Sequence, residues 1–278
     1  MYWRHLGALA FLHNTKKALT AFERATALDP NEPDGWLSLG RLQFRLGELV
    51  AAEHTFKTLV QLAHRLSDKD AESTGTTGLG WIFEARGDLD KAEQLYRNDL
   101  TLNRELNDKQ GMAAAYGNLG NICDTRGDLE TTEEMHRNAF QLYEELGDKE
   151  GLARAYTSLG INSWNRGNLE NAERLYREAL KLNEELGNKE GMAIAYGNLG
   201  ILYATKRTFD DAEQMLRQSL ALSEELGRKG SMAQVYGNLG VIFRNRGEHD
   251  QAEEMYLKSL KIEEELGRKE QLEPSGSL

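Results

Sequence analysis

A block of forty residues is written again and again along this chain, and that period limits the possible folds more than any other feature. The clearest copies begin at Gly111, Gly151 and Gly191, and a fourth runs from Ser231 to Glu270. Gly40, Gly80, Gly120, Gly160, Gly200 and Gly240 fall at the same interval, so the register persists through the less regular N-terminal part. A strict period of this length implies stacked supersecondary units, none able to bury its apolar face alone. Such a chain presents a long surface rather than enclosing a catalytic cavity.

The copy from Gly151 defines the unit. Leu152, Ala155, Tyr156, Leu159 and Gly160 are spaced three and four apart, one face of a helix over Gly151–Arg166. Asn165-Arg166-Gly167 breaks it, with Gly167 free to adopt a left-handed cap and Asn168 suited to start a second helix. That second helix carries Leu169, Ala172, Leu175, Tyr176, Ala179, Leu180 and Leu186, an apolar face wide enough for neighbours on two sides. Gly187 ends it and Asn188 caps the next unit. Each repeat is therefore expected to be two antiparallel helices, and the chain all-α. Gly160 is expected to let its helix approach Ala172, with Tyr156, Tyr196 and Tyr236 packing against the following unit.

Composition narrows the function classes. Charged residues make up 28% of the 278, prolines number three, and no window approaches an uninterrupted membrane-spanning run. The opening MYWRHLGALAFLHN is too short and interrupted for a signal peptide. A single cysteine, Cys123, excludes an intramolecular disulfide and a cysteine-rich metal site, and a cytoplasmic location is expected. The net charge of −11 is concentrated after residue 70, where Glu-Glu-Leu recurs at Glu144, Glu184 and Glu224. Nucleic-acid binders need a basic stripe, and this chain has the opposite sign. His5, His13, His54, His64, His136 and His249 show no metal-ligand spacing. His136 stands where other copies have Tyr176 and Tyr256, and Cys123 where they have Phe83, Tyr203 and Phe243, so both read as buried packing. No catalytic constellation, metal site or cofactor is called for, and the chain reads as a non-enzyme.

The recurring pattern, Tyr156, Leu159, Gly160, Ser163, Ala172, Tyr176 and Ala179 in one copy, resembles the tetratricopeptide repeat. Ala18, Phe22, Ala25 and Pro30 follow it in the first unit, and Trp36, Leu39, Gly40, Ala52 and Phe56 in the second. Units of that family are usually ~34 residues long, so these forty-residue units have longer helices through their EELGDKEGMA-like segments. The long form resembles the spindle-orientation adaptors named for a Leu-Gly-Asn repeat, and also many bacterial repeat proteins. It resembles kinesin light chains less closely. The implied fold is a right-handed superhelical solenoid of about seven antiparallel helix-turn-helix units.

In that family the first helix of each unit lines a concave inner face. Carried over by position, the resemblance implies a groove of Arg41, Arg45, Trp81, Asn118, Asn121, Arg154, Ser158, Trp164, Asn165, Asn198, Asn238, Arg244 and Asn245. Asparagine amides there could satisfy both N–H and C=O groups of an extended backbone. Trp81 and Trp164 could clamp apolar side chains, and the arginines could pair with carboxylates. The competing explanation is duplication alone. A clamp for a free C-terminal carboxylate is not expected, because the basic positions are scattered.

Residues 1–70 hold two degenerate units, 71–270 five units of forty residues, and 271–278 an aborted repeat or tail stopped by Pro274. Gly75 and Gly78, inside an expected helix, suggest a weak joint there. The expected function is a scaffold binding an extended or helical segment of a protein partner, with no nucleic acid and no membrane insertion. The alternatives are a regulatory or sensor arm of a larger signalling protein, or a homo-oligomer stacking end to end.

Overall fold

The computed structural model describes residues 15–267. Among the described residues there are thirteen α-helices and no strand. They are α1 (Thr15–Leu28), α2 (Pro33–Arg45), α3 (Leu49–Leu66), α4 (Lys69–Ala85), α5 (Leu89–Leu106), α6 (Lys109–Thr125) and α7 (Leu129–Leu146). Then come α8 (Lys149–Asn165), α9 (Leu169–Leu186), α10 (Lys189–Thr205), α11 (Phe209–Glu225), α12 (Lys229–Arg246) and α13 (His249–Glu265). The fold is all-α. Packing divides it into two compact units, with the division between Leu146 and Gly147.

Within the first unit, α2/α3, α4/α5 and α6/α7 form antiparallel hairpins, each packed on the next, with α1 against α2. Within the second, α8/α9, α10/α11 and α12/α13 do the same. Each unit is thus a stack of helical repeats. His5, His13, the opening segment and the aborted repeat from Gln271 lie outside the described residues.

Local chemistry sets the helix ends. Gly167 has φ +76° and Gly187 φ +64°, the left-handed region that glycine enters without Cβ strain. Asn168 accepts a hydrogen bond from Asn171 N at 3.1 Å, and Asn188 one from Gly191 N at 3.0 Å. These side chains satisfy donors that a helix start leaves unpaired. Where other copies have Asp or Asn, Thr208 and Glu248 make no such side-chain cap.

The core repeats with the same period. In the first unit Ala52, Phe56, Leu59 and Ile82 form one cluster, and Ala92, Tyr96, Leu119 and Ile122 another. In the second unit Tyr176, Leu199, Leu202, Leu216, Leu239 and Ile242 belong to one continuous cluster. Each fully buried large apolar side chain contributes about 1.5–3 kcal/mol through area removed from water.

At Gly160 the two helices of the hairpin approach closely, and a Cβ there would lie 2.5 Å from the Tyr176 ring. Three sequence expectations change. Two first-helix tyrosines reach back to the preceding hairpin: Tyr196 Oη donates to Glu184 at 3.5 Å and Tyr236 Oη to Glu224 at 3.3 Å. Helix α4 runs unbroken through Gly75 and Gly78. A Cβ at Gly75 would meet Val60 at 2.8 Å and one at Gly78 would meet Phe56 at 2.5 Å, so these glycines allow close packing on α3. Cys123 is only half-buried, because its helix faces solvent along that edge.

Two ladders of ion pairs tie the repeats. Lys69–Glu105 (2.9 Å), Lys109–Glu145 (2.7 Å), Lys149–Glu185 (2.7 Å) and Lys229–Glu265 (2.7 Å) close single hairpins, as does Lys189–Glu225. The second glutamate of each Glu-Glu-Leu is thus paired on the surface, where each bond adds little. The second ladder joins consecutive hairpins: Arg86–Glu53 (2.5 Å) and Arg126–Glu93 in the first unit, Lys206–Glu173 (2.7 Å) and Arg246–Glu213 (2.6 Å) in the second.

Candidate functional site

The first helices of the hairpins carry a stripe of solvent-facing positions that the core does not use. In the first unit these helices are α2, α4 and α6, and α2 touches α4 directly. In the second they are α8, α10 and α12, with α10 touching both others.

In the first unit the structure brings Arg41, Arg45 and Trp81 together. With Phe44, Glu84 and Ala85 they line a cavity of about 520 Å³ between α2 and α4. The Phe44 and Trp81 rings are 5.9 Å apart and tilted by 35°, and Phe56 meets Trp81 edge-on at 6.4 Å. Glu84 accepts the hydroxyl of Tyr96 at 2.6 Å, and burial with that carboxylate pushes the Tyr96 pKa well up. On α6, Asn118 is half-buried and Asn121 exposed, away from the residues of that cavity.

In the second unit Arg154 is exposed and pairs with Glu150 at 3.0 Å. Ser158, Asn198 and Asn238 are half-buried. Among the described residues Asn198 Nδ2 is buried without a hydrogen-bond partner. Trp164 is 37% exposed, and its indole N–H donates to Thr205 Oγ1 at 3.4 Å, linking α8 to α10. Asn165, Arg244 and Asn245 are exposed. Arg244 lines a separate cavity of about 360 Å³ with His249, Tyr256, Leu257 and Leu260, a lining that includes none of the asparagines.

Sequence reasoning missed Ile194. It is 52% exposed, one period after Arg154, and with Ile201 at 37% it makes the α10 stripe apolar. The signal was its place in the repeat, overlooked because an isoleucine reads as core. An exposed apolar stripe flanked by amides and guanidinia can hold a polypeptide.

The candidate reactive groups lie elsewhere. His136 is 3% exposed, and burial lowers its pKa to about 4 against a weak opposing pull from Asp124. Burial likewise raises the Cys123 thiol pKa. Asp99 is buried, accepts from Ser73 Oγ at 2.5 Å and Asn103 Nδ2 at 2.9 Å, and has a raised pKa, mainly from burial. Among the described residues no group of three or more His, Cys, Asp or Glu side chains could hold a metal ion. No described helix is long and apolar enough to cross a membrane.

Forty-residue helical hairpins with a small residue seated on a ring define a tetratricopeptide-repeat protein. The sequence profile of the MalT-like TPR region matches residues 107–272, and tetratricopeptide-repeat profiles match 8–71 and 77–110. The chain belongs to the MalT-like tetratricopeptide-repeat family.

No curated protein sequence matches the chain. Solved structures do. BtubC from P. vanneervenii is 25% identical, with TM-score 0.67 over 83% of this chain and 97% of that one. The Rap conjugation gene regulator of the plasmid pLS20, in complex with the Phr* peptide, is 18% identical. Its TM-score is 0.74 over 99% and 76% of the two chains. A Signal Transduction ATPase with Numerous Domains from Pyrococcus horikoshii, with a tetratricopeptide repeat sensor, is 14% identical. Its TM-score is 0.70 over 95% of this chain and 42% of that one.

Proposed function

We propose that the chain is a non-enzymatic, cytoplasmic scaffold that holds an extended or helical segment of a partner protein on its first-helix faces. The carrying observation is the solvent-facing stripe of Trp164, Ile194 and Ile201, apolar residues left uncovered where the opposite side of each helix is core. Apolar anchors ringed by polar groups are what a peptide-holding surface requires. The peptide bound to the plasmid Rap regulator supports the reading by analogy of fold.

The test is selection of a random peptide library on the chain, followed by binding measurements on variants. Selected peptides should lose affinity for Ile201→Glu or Trp81→Ala and keep it for Arg217→Glu, on an exposed second-helix position. Peptides indifferent to every first-helix change would sink the proposal.

A second reading is a sensor arm of a larger signalling protein. The fold likeness to the signalling ATPase with its repeat sensor supports it. It predicts that the gene encodes an effector domain in the same polypeptide, and a gene without one would remove it.

A further inference from the structure

The cavity between α2 and α4 differs in chemistry from the other first-helix surfaces. Phe44, Trp81 and Ala85 supply apolar walls, and the edge-on contact from Phe56 backs the indole. Arg41 is exposed at the cavity, and no carboxylate, carbonyl or ring engages its guanidinium among the described residues. Arg45 also lines the cavity. The one carboxylate in the lining, Glu84, is occupied by the Tyr96 hydroxyl. The Arg41 guanidinium therefore stands at the cavity without a carboxylate partner among the described residues, on a chain of net charge −11.

An apolar floor with an unpaired guanidinium beside it suits a ligand that combines the same two features. We infer that this cavity anchors a partner peptide by one large apolar side chain, seated on Phe44 and Trp81, next to a carboxylate that pairs with Arg41. Desolvation at such a site strengthens the charge-assisted bond, and the aromatic pair provides contact area with little rotamer entropy to lose. The inference rests on the scaffold reading and adds the chemistry of one anchor.

Charge complementarity decides between occupants. Residues 1–14 of the chain hold apolar side chains and Arg4 but no Asp or Glu, so they cannot neutralise Arg41. A second copy would offer its Glu-Glu-Leu segments, but Glu145, Glu185 and Glu225 are bound by lysines, and Glu184 and Glu224 accept tyrosine hydroxyls. A separate acidic-apolar segment fits best.

The experiment uses the full chain and a displayed random library of peptides about twelve residues long. Peptides that bind the parent are labelled with fluorescein, and their affinities are read by anisotropy on the parent, Arg41→Gln and Ile201→Glu. The expected result is enrichment of a large apolar residue beside Asp or Glu, with affinity falling roughly tenfold or more on Arg41→Gln. Replacing the peptide's acid by its amide should weaken binding to the parent and change little on Arg41→Gln. Arg41 is exposed, so its variant keeps the fold, which circular dichroism checks.

Equal affinity for parent and Arg41→Gln overturns the anchor. If Ile201→Glu still abolishes binding, the scaffold reading survives without it; if neither variant matters, both fall. Selected peptides that match residues 1–14 would assign the cavity to the chain's own segment and overturn the inference. Self-association that disappears in Arg41→Gln would assign the cavity to a second copy and overturn it equally.

Discussion

The imidazole of His136 lies directly under Gly120, where a Cβ would come within 2.5 Å of its Cε1. Four other repeats put a phenol or phenyl ring in that seat: Phe56, Tyr96, Tyr176 and Tyr256. The histidine is held neutral there by burial, with its pKa lowered to about 4.

A depressed histidine pKa makes folding favour the neutral form. Its stabilising effect is complete above the unfolded value of ~6.5 and is lost as pH falls toward 4. By pH ~4.5 the loss is roughly 2–3 kcal/mol. His136→Tyr should remove that component. Urea denaturation of both proteins at neutral and acid pH checks this, and parallel pH profiles would refute it.

Glu173 has the opposite sign. Lys206, then Tyr203 and Arg177, hold its carboxyl at about 2, below the ordinary glutamate value. Its contribution is present above pH ~4.5 and declines as pH drops toward 2. Glu173→Gln should cost roughly 1 kcal/mol at pH 7, and the two proteins should converge in acid. Thermal melts across that range measure the convergence.

Two glycines should respond oppositely to alanine. At Gly160 the added methyl meets the Tyr176 ring at 2.5 Å, and overpacking should cost about 1–3 kcal/mol. Gly117 has nothing within 4 Å, so Gly117→Ala should stabilise by up to ~1 kcal/mol through helix propensity. A shared direction of change in denaturation midpoint would contradict the close-approach account.

Asn198 separates binding from stability. Its Nδ2 is buried without a partner among the described residues, so Asn198→Leu should leave stability unchanged or raise it by about 1 kcal/mol. If the amide contacts peptide backbone, the same change weakens selected peptides that depend on Ile201. Lost stability with intact binding would make the asparagine purely structural.

The helices were legible because forty-residue copies repeat the breaks as faithfully as the apolar faces: Gly167-Asn168 and Gly187-Asn188 end and start helices where their chemistry says they should. What a pattern on one helix cannot show is which neighbour it meets. Gly160 was rightly read as a close-approach residue, but its partner sixteen residues on was not evident. Gly75 and Gly78 read as breakers because propensity is local, whereas their reason, Phe56 and Val60, lies on another helix. The cavity residues Arg41, Arg45 and Trp81 were named individually from position, but only packing brings them to one cavity. Ile194 escaped notice because exposure is not encoded in residue type.

The rungs from Glu93 to Arg126 and from Glu173 to Lys206 span the same stretch of chain. Within each unit, consecutive blocks are therefore fastened by a glutamate of one and a cation of the next. Copying a whole block inserts a hairpin with both fasteners already matched, whereas inserting half a block would set like ends against each other. A protein built this way can lengthen by duplication without inventing a new interface, and each added block then becomes free to change only its outward stripe.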